Sequence, residues 1–172
     1  RLTPSSLSTI SKSTENIFTV KPEYTQQFKH LKGNKFYIGE MKKIIITGIL
    51  GQDGSNMAEY LLSSIKDIEV FGMMRRSSNP NFVNIKLFKD DPRFKLQFLD
   101  LSDSNSIEAA VKAIQPDYFI NFAANSFVGI SWKMPEQVMD VNTLGVMRCL
   151  EAIKKFKTDC RYYSAGSSEE FG

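Results

Sequence analysis

The 172-residue sequence has one histidine, two cysteines and one tryptophan. The histidine, His30, falls in an N-terminal stretch set apart below, so the rest of the chain has no imidazole for a serine-type triad or a His-rich metal centre. Cys149 and Cys160 are too few for a disulfide framework or a four-thiolate zinc site, and both are expected to be reduced and packed. No apolar run approaches the roughly 18 residues of a membrane helix. No basic-then-apolar leader with a small-residue cleavage site opens the chain, so a cytoplasmic protein without a membrane partner is expected. An excess of one charge is also missing from the body. Lys and Arg number 22 against 19 Asp and Glu, but residues 1–40 hold six of the basic and three of the acidic residues, so the remainder balances at 16 against 16. Such a body has little to neutralise nucleic-acid phosphates with, and no nucleic-acid partner is expected.

What is present is globular in proportion: 42% hydrophobic and 24% charged residues, over a length that suits one domain. Residues 1–40 differ in kind. Seven of the ten positions from Ser5 to Thr14 are Ser or Thr and no hydrophobic period persists, which reads as a flexible or extraneous leader. Met41 directly precedes a strand signal, so the folded unit is expected to be residues 41–172. Ile44-Ile45-Ile46, fenced by lysines and by Thr47-Gly48, has the form of a buried central strand. Met57, Ala58, Leu61, Leu62 and Ile65 then recur at helical spacing. Further strands are predicted at Ile68 to Met74, Phe94 to Leu99, Tyr118 to Phe122 and Arg161 to Ala165. Helices are predicted through Ile107, Ala110, Val111 and Ile114, ended by Pro116, and through Val138, Val141, Leu144 and Cys149 to Ile153. Strands alternating with helices at this spacing predict an α/β fold with a parallel sheet covered on both faces. Trp132, Tyr162, Tyr163 and Phe171 are read as core residues rather than a base-stacking platform, and Met73-Met74 as strand packing.

The segment Thr47-Gly48-Ile49-Leu50-Gly51-Gln52-Asp53-Gly54 sets three glycines between the first strand and the first helix. Glycines there permit a tight turn, a close backbone approach to a pyrophosphate and close helix-on-strand packing, while the helix N-terminus favours the anion. This is the cradle of a Rossmann-type, doubly wound dinucleotide-binding sheet, although the spacing is G-x-x-G-x-x-G and a plain turn is the competing reading. The absence of Lys-Ser or Lys-Thr after the last glycine disfavours a Walker-type loop. The cofactor ribose should meet the end of strand two, where Arg75 and Arg76 stand in place of an acidic residue. Two guanidinium groups suit a 2′-phosphate, so NADP is expected; a solvated basic turn is the alternative.

Taken in order and at their intervals, Thr47 to Gly54, Arg75-Arg76-Ser77-Ser78, Asp100-Leu101-Ser102-Asp103, Asn121-Phe122-Ala123-Ala124-Asn125-Ser126 and Ser167-Ser168-Glu169 before Phe171-Gly172 carry a resemblance. The stretch from Lys43 to Gly172 resembles the front half of the extended short-chain dehydrogenase/reductase family, and within it the GDP-mannose 4,6-dehydratases. That resemblance implies roles. Asp100 would approach the adenine with Leu101 beside it, although a strand-end cap explains Asp100 equally well on sequence alone. Ala123-Ala124 would pass against the nicotinamide-side ribose, and Ser126 would face the sugar nucleotide. The family commonly has Leu, Gln and His where this chain has Phe122, Asn125 and Phe127.

Ser167 matches a hydroxyl that hydrogen-bonds the hexose 4-hydroxyl, and Glu169 a carboxylate that removes the proton from carbon 5, which a 4-keto group acidifies. Without the resemblance, Glu169 is an ordinary loop carboxylate. The implied reaction converts GDP-mannose to GDP-4-keto-6-deoxymannose: carbon 4 gives hydride to NADP, water leaves across carbons 5 and 6, and the hydride returns to carbon 6. Relatives also use a later Tyr-x-x-x-Lys pair and a C-terminal substrate lobe, which this chain does not reach. The expectation is a fragment, truncated before that lobe, that binds NADP weakly and turns nothing over, and a homo-oligomer when whole. The alternatives are another nucleotide-sugar epimerase or reductase, or a non-catalytic NADP-binding module.

Overall fold

A run of β-branched residues that is apolar on both faces belongs in the middle of a sheet. Ile44, Ile45 and Ile46 are buried there, in β1 (Lys42–Thr47). The structure, a computed structural model, describes residues 41–167. Four further strands are β2 (Ile68–Met74), β3 (Phe94–Phe98), β4 (Tyr118–Asn121) and β5 (Arg161–Ser164). All neighbours pair in parallel, in the order β3-β2-β1-β4-β5. Register is set around the central strand: Ile44 lies opposite Val70 on one side and Tyr118 on the other, and Thr47 lies opposite Asn121.

The helices α1 (Gln52–Ser64), α2 (Ser104–Ile114) and α5 (Gly145–Phe156) pack their apolar stripes on this sheet. Alternate residues of β1 feed different cores, as the two-residue strand period requires. Ile44 and Ile46 join Val70, Phe94, Ala58 and Leu62 under α1, whereas Ile45 joins Phe71, Phe119, Ile107, Val111 and Ile153 under α2 and α5. The sheet is therefore covered on both faces, which is the doubly wound arrangement. Gly72 of β2 lets Ile49 and the Phe94 ring close over the strand, since a Cβ there would lie 2.6 Å from Ile49 and 2.8 Å from the ring.

Helix ends are closed by side chains. Arg93 donates to the carbonyls of Leu62 (2.7 Å) and Ile65 (2.9 Å) at the end of α1 while also pairing with Asp91. Asp103 accepts from the Asn105 amide (3.0 Å) at the start of α2, and Gln115 ends that helix in the left-handed region (φ 54°) just before Pro116. The expected long helix near residues 138–153 is three pieces. α4 (Pro135–Met139) runs into a π-helical turn, Asp140–Leu144, which leads into α5, and a short α3 (Val128–Ser131) precedes them. Two aromatic expectations are corrected. Trp132, in the turn between α3 and α4, is 87% exposed, and Tyr163 is 54% exposed because successive residues of the edge strand β5 face opposite ways and its neighbour Tyr162 packs on the core beside Phe119. Met73 and Met74 are buried strand residues as expected.

Candidate functional site

Chain order reverses between β1 and β4, and in open parallel sheets ligands bind outside the carboxyl ends of the strands at that switch. A cleft of about 1290 Å³ lies there, bordered by the loops that follow all five strands. Its floor is the glycine loop. Gly48 has φ +68° and sits against the β4 loop, where a Cβ would come within 2.9 Å of the Ala123 nitrogen. A Cβ on Gly54 would lie 2.5 Å from the Gly48 carbonyl oxygen, so glycine at 54 brings α1 down onto the loop. Gly51 is the N-cap of α1 and contributes no side chain to its first amides. Gly48, Gly51, Gln52, Asp53 and Gly54 all border the cleft. Ser55 in that first turn is buried, its hydroxyl donating to the Gln52 carbonyl (3.0 Å).

A buried polar chain sets the loops in register. The Thr47 hydroxyl donates to Asn121 Oδ1 (2.5 Å) and accepts from the Ala123 amide (3.2 Å), and Asn121 Nδ2 donates to Ser164 Oγ (3.3 Å). It joins the ends of β1, β4 and β5. Nearby, burial pushes the Tyr162 phenol up to about 12.

On the β2 and β3 side the two arginines part. Arg75 borders the cleft and lies close enough to Asp100 to help lower its pKa, although hydrogen bonding from the Ser102 amide is the larger cause. The Arg76 guanidinium lies over the Phe98 ring, 5.5 Å from its centroid, and is not among the residues bordering the cleft. Asp100 Oδ1 accepts from the Ser102 amide (3.0 Å) and hydroxyl (2.7 Å), so the strand-end turn is real, while Asp100 and buried Leu101 also border the cleft. The segment after β2 folds back to the glycine loop, where Asn84 Nδ2 donates to the Leu50 carbonyl (2.8 Å).

The opposite wall comes from the β4 loop. Ala123, Ala124 and Ser126 border the cleft, and so does Ser167 beyond β5. Glu169, together with Ser168, Phe171 and Gly172, lies outside the described residues. The loop is gripped at Asn125: its amide donates to Asn142 Oδ1 (2.8 Å) and its carbonyl accepts from Asn142 Nδ2 (3.1 Å). Asn142 reaches it from the π-helical turn. Arg148 holds the same turn from the other side, donating to Asp140 Oδ1 (2.7 Å) and to the Leu101 carbonyl (3.0 Å). Sequence reasoning missed Thr47, Asn142 and Arg148. For Asn142 the sequence carries no signal, because the core-facing stripe Val141, Gly145, Cys149 and Ala152 keeps three- and four-residue steps past it. Among the described residues no cluster of three or more His, Cys, Asp or Glu groups is placed to hold a metal, and no helix is long and apolar enough to cross a membrane.

Comparison with known proteins agrees with this geometry. A GDP-mannose 4,6 dehydratase family model matches residues 45–172. GDP-mannose 4,6 dehydratase 1 of Arabidopsis thaliana is 39% identical over 154 residues, covering 84% of this chain and 42% of the relative. The GDP-mannose 4,6-dehydratase of Yersinia enterocolitica is 43% identical over 141 residues, covering 77% and 37% respectively. The chain thus spans about two fifths of the length of the curated relatives it matches. Among solved structures, the Bordetella bronchiseptica enzyme WbmH, in complex with NAD+, superposes with a TM-score of 0.55 at 28% identity, over 67% of this chain and 36% of that one. The UDP-Glc/GlcNAc 4-epimerase of Campylobacter jejuni reaches a TM-score of 0.67 at 23% identity, over 76% and 39%, and attests the fold alone. With strand order, glycine cradle and family match in agreement, the chain belongs to the GDP-mannose 4,6-dehydratase family.

Proposed function

We propose that the chain is the nucleotide-binding portion of a GDP-mannose 4,6-dehydratase that uses NADP. The observation that carries this is the cradle at the start of α1, where Gly48 and Gly54 let the loop, the β4 segment and the helix close on one another, and where the helix N-terminus at Gly51, Gln52 and Asp53 borders the cleft. Its fit is to a dinucleotide diphosphate. Gly51, Gln52 and Asp53 would hold the diphosphate, Arg75 a 2′-phosphate, Asp100 and Leu101 the adenosine end, and Ala123-Ala124 the far ribose. Arg76, stacked on Phe98, would close the outer side of the 2′-phosphate position. When bound, NADP supplies an acceptor and donor of hydride within one turnover. Ser167 would hold the hexose 4-hydroxyl, Ser126 would orient the sugar nucleotide, and Glu169 would take the proton from carbon 5. A cytoplasmic, homo-oligomeric whole enzyme, with residues 1–40 as a leader outside the nucleotide-binding body, completes the reading.

Calorimetry on Arg75→Ala tests the cofactor assignment. NADP affinity is expected to fall about tenfold or more, the size of a lost charge-assisted pair, with NAD affinity changed less than about twofold. Equal loss of both removes the 2′-phosphate role. For the reaction, a longer polypeptide carrying the Tyr-x-x-x-Lys pair is expected to convert GDP-mannose without net NADPH consumption, and Glu169→Gln to abolish turnover while NADP still binds. Net NADPH consumption indicates a reductase instead.

A further inference from the structure

Phe127 is 73% exposed and yet borders the cleft. A large aromatic side chain left in water inside a ligand cleft calls for an explanation, because most exposed apolar residues lie scattered on the outer surface. Its position is fixed by its neighbour: a Cβ on Gly129 would lie 3.1 Å from two Phe127 ring carbons, so the ring rests on the glycine backbone. Resting there covers one region of the ring and leaves the remainder open, and it limits the rotamer freedom that ligand binding would otherwise have to freeze.

The surroundings select the ligand class. Next to Phe127 in sequence is Ser126, whose exposed side chain also borders the cleft, and the cleft is further bordered by Phe122, which is partly buried and meets the Tyr163 ring edge-on at 6.1 Å. An aromatic face beside a hydroxyl matches a pyranose ring, which offers C–H groups on one face and hydroxyls at its rim. Going out from the glycine cradle, Phe127 also follows Ala123 and Ala124 along the β4 loop, beyond the stretch that would meet the cofactor.

Resting on the nucleotide-sugar reading above, we infer that Phe127 is a specificity-determining residue: its ring stacks on the C–H face of the substrate hexose. The position sets how the hexose lies without touching the base or the diphosphate. Affinities are to be measured by calorimetry on the NADP-loaded protein, with GDP-mannose and with GDP as separate probes. Phe127→Ala is expected to weaken GDP-mannose about five- to tenfold, the range of one aromatic stacking contact, and to leave GDP and NADP within about twofold. Phe127→Tyr is expected to restore the sugar-dependent increment. An unchanged GDP-mannose affinity in Phe127→Ala overturns the inference. So does an equal loss for GDP, which would place the base on the ring, and so does an NADP-loaded protein that binds GDP-mannose no better than GDP. Failure of the unsubstituted protein to bind NADP at all is a different result, and it strikes the cofactor reading itself.

Discussion

Thr47 ties the end of β1 to the β4 loop. Its hydroxyl is buried, donates to Asn121 and accepts from the Ala123 amide, so one oxygen joins β1 to the wall of the cleft. Thr47→Val keeps the shape and the strand preference but leaves the Ala123 N–H and Asn121 Oδ1 without this partner. A buried group stripped of its partner costs about 1–3 kcal/mol, so urea denaturation should show a loss of that order, with Thr47→Ser losing much less. A Thr47→Val protein as stable as the original would show that the chain of hydrogen bonds is incidental. Residue-scale legibility was uneven. Gly48, Gly51 and Gly54 were readable because a strand and a helix flank them, and the structure puts each against the cleft. Trp132 was misread as core, since an aromatic residue in sequence does not reveal whether a packing partner exists on its side of the chain. The separate fates of Arg75 and Arg76 were equally hidden, because the Phe98 ring that takes Arg76 comes from a strand more than twenty residues further on.

At the scale of elements, β2 was legible to the residue, because its apolar run is bounded by charged residues, and α2 because Asp103 and Pro116 bracket its apolar period. Strand ends were overrun by one residue at Leu99, Phe122 and Ala165, where apolar side chains continue into loops after the ladder has stopped. The π-helical turn is not legible in the sequence, since Val141, Gly145, Cys149 and Ala152 keep helical steps from within it into α5. Its packing yields a prediction with an inverted sign. Gly145 opens α5 with ordinary helical angles (φ −60°), where replacing glycine by alanine in a helix normally stabilises by about 1 kcal/mol. Here a Cβ would lie 2.9 Å from Leu101 Cβ, an atom that cannot swing aside without moving its backbone. Gly145→Ala is therefore expected to destabilise, by about 1–3 kcal/mol in denaturant titration, as overpacking does. A gain in stability would mean that the helix is free to shift away from the Leu101 loop.

Across the whole molecule, the titratable groups confine stability between an acid and an alkaline limit. Hydrogen bonding from Arg93 holds Asp91 below the usual carboxylate range, and the Ser102 amide does the same for Asp100. A carboxyl lowered on folding contributes stability above its unfolded value of about 3.9 and loses it as pH falls through the folded one. At the other limit, burial pushes Cys149 from 9.0 up to about 12 and Cys160 up to about 11. Thiols raised on folding contribute nothing adverse below their unfolded value. As pH rises above it the unfolded chain loses protons that the folded chain keeps, and stability falls. Denaturant midpoints measured from acid to alkaline pH should therefore form a plateau from about 5 to about 8.5, with a fall on either side. Cys149→Ala lowers the plateau by leaving a small void, but the telling quantity is the slope above it, which should become shallower because the most buried thiol no longer titrates. If that slope is unchanged while the plateau falls, the alkaline limit belongs to other groups, Tyr162 first among them.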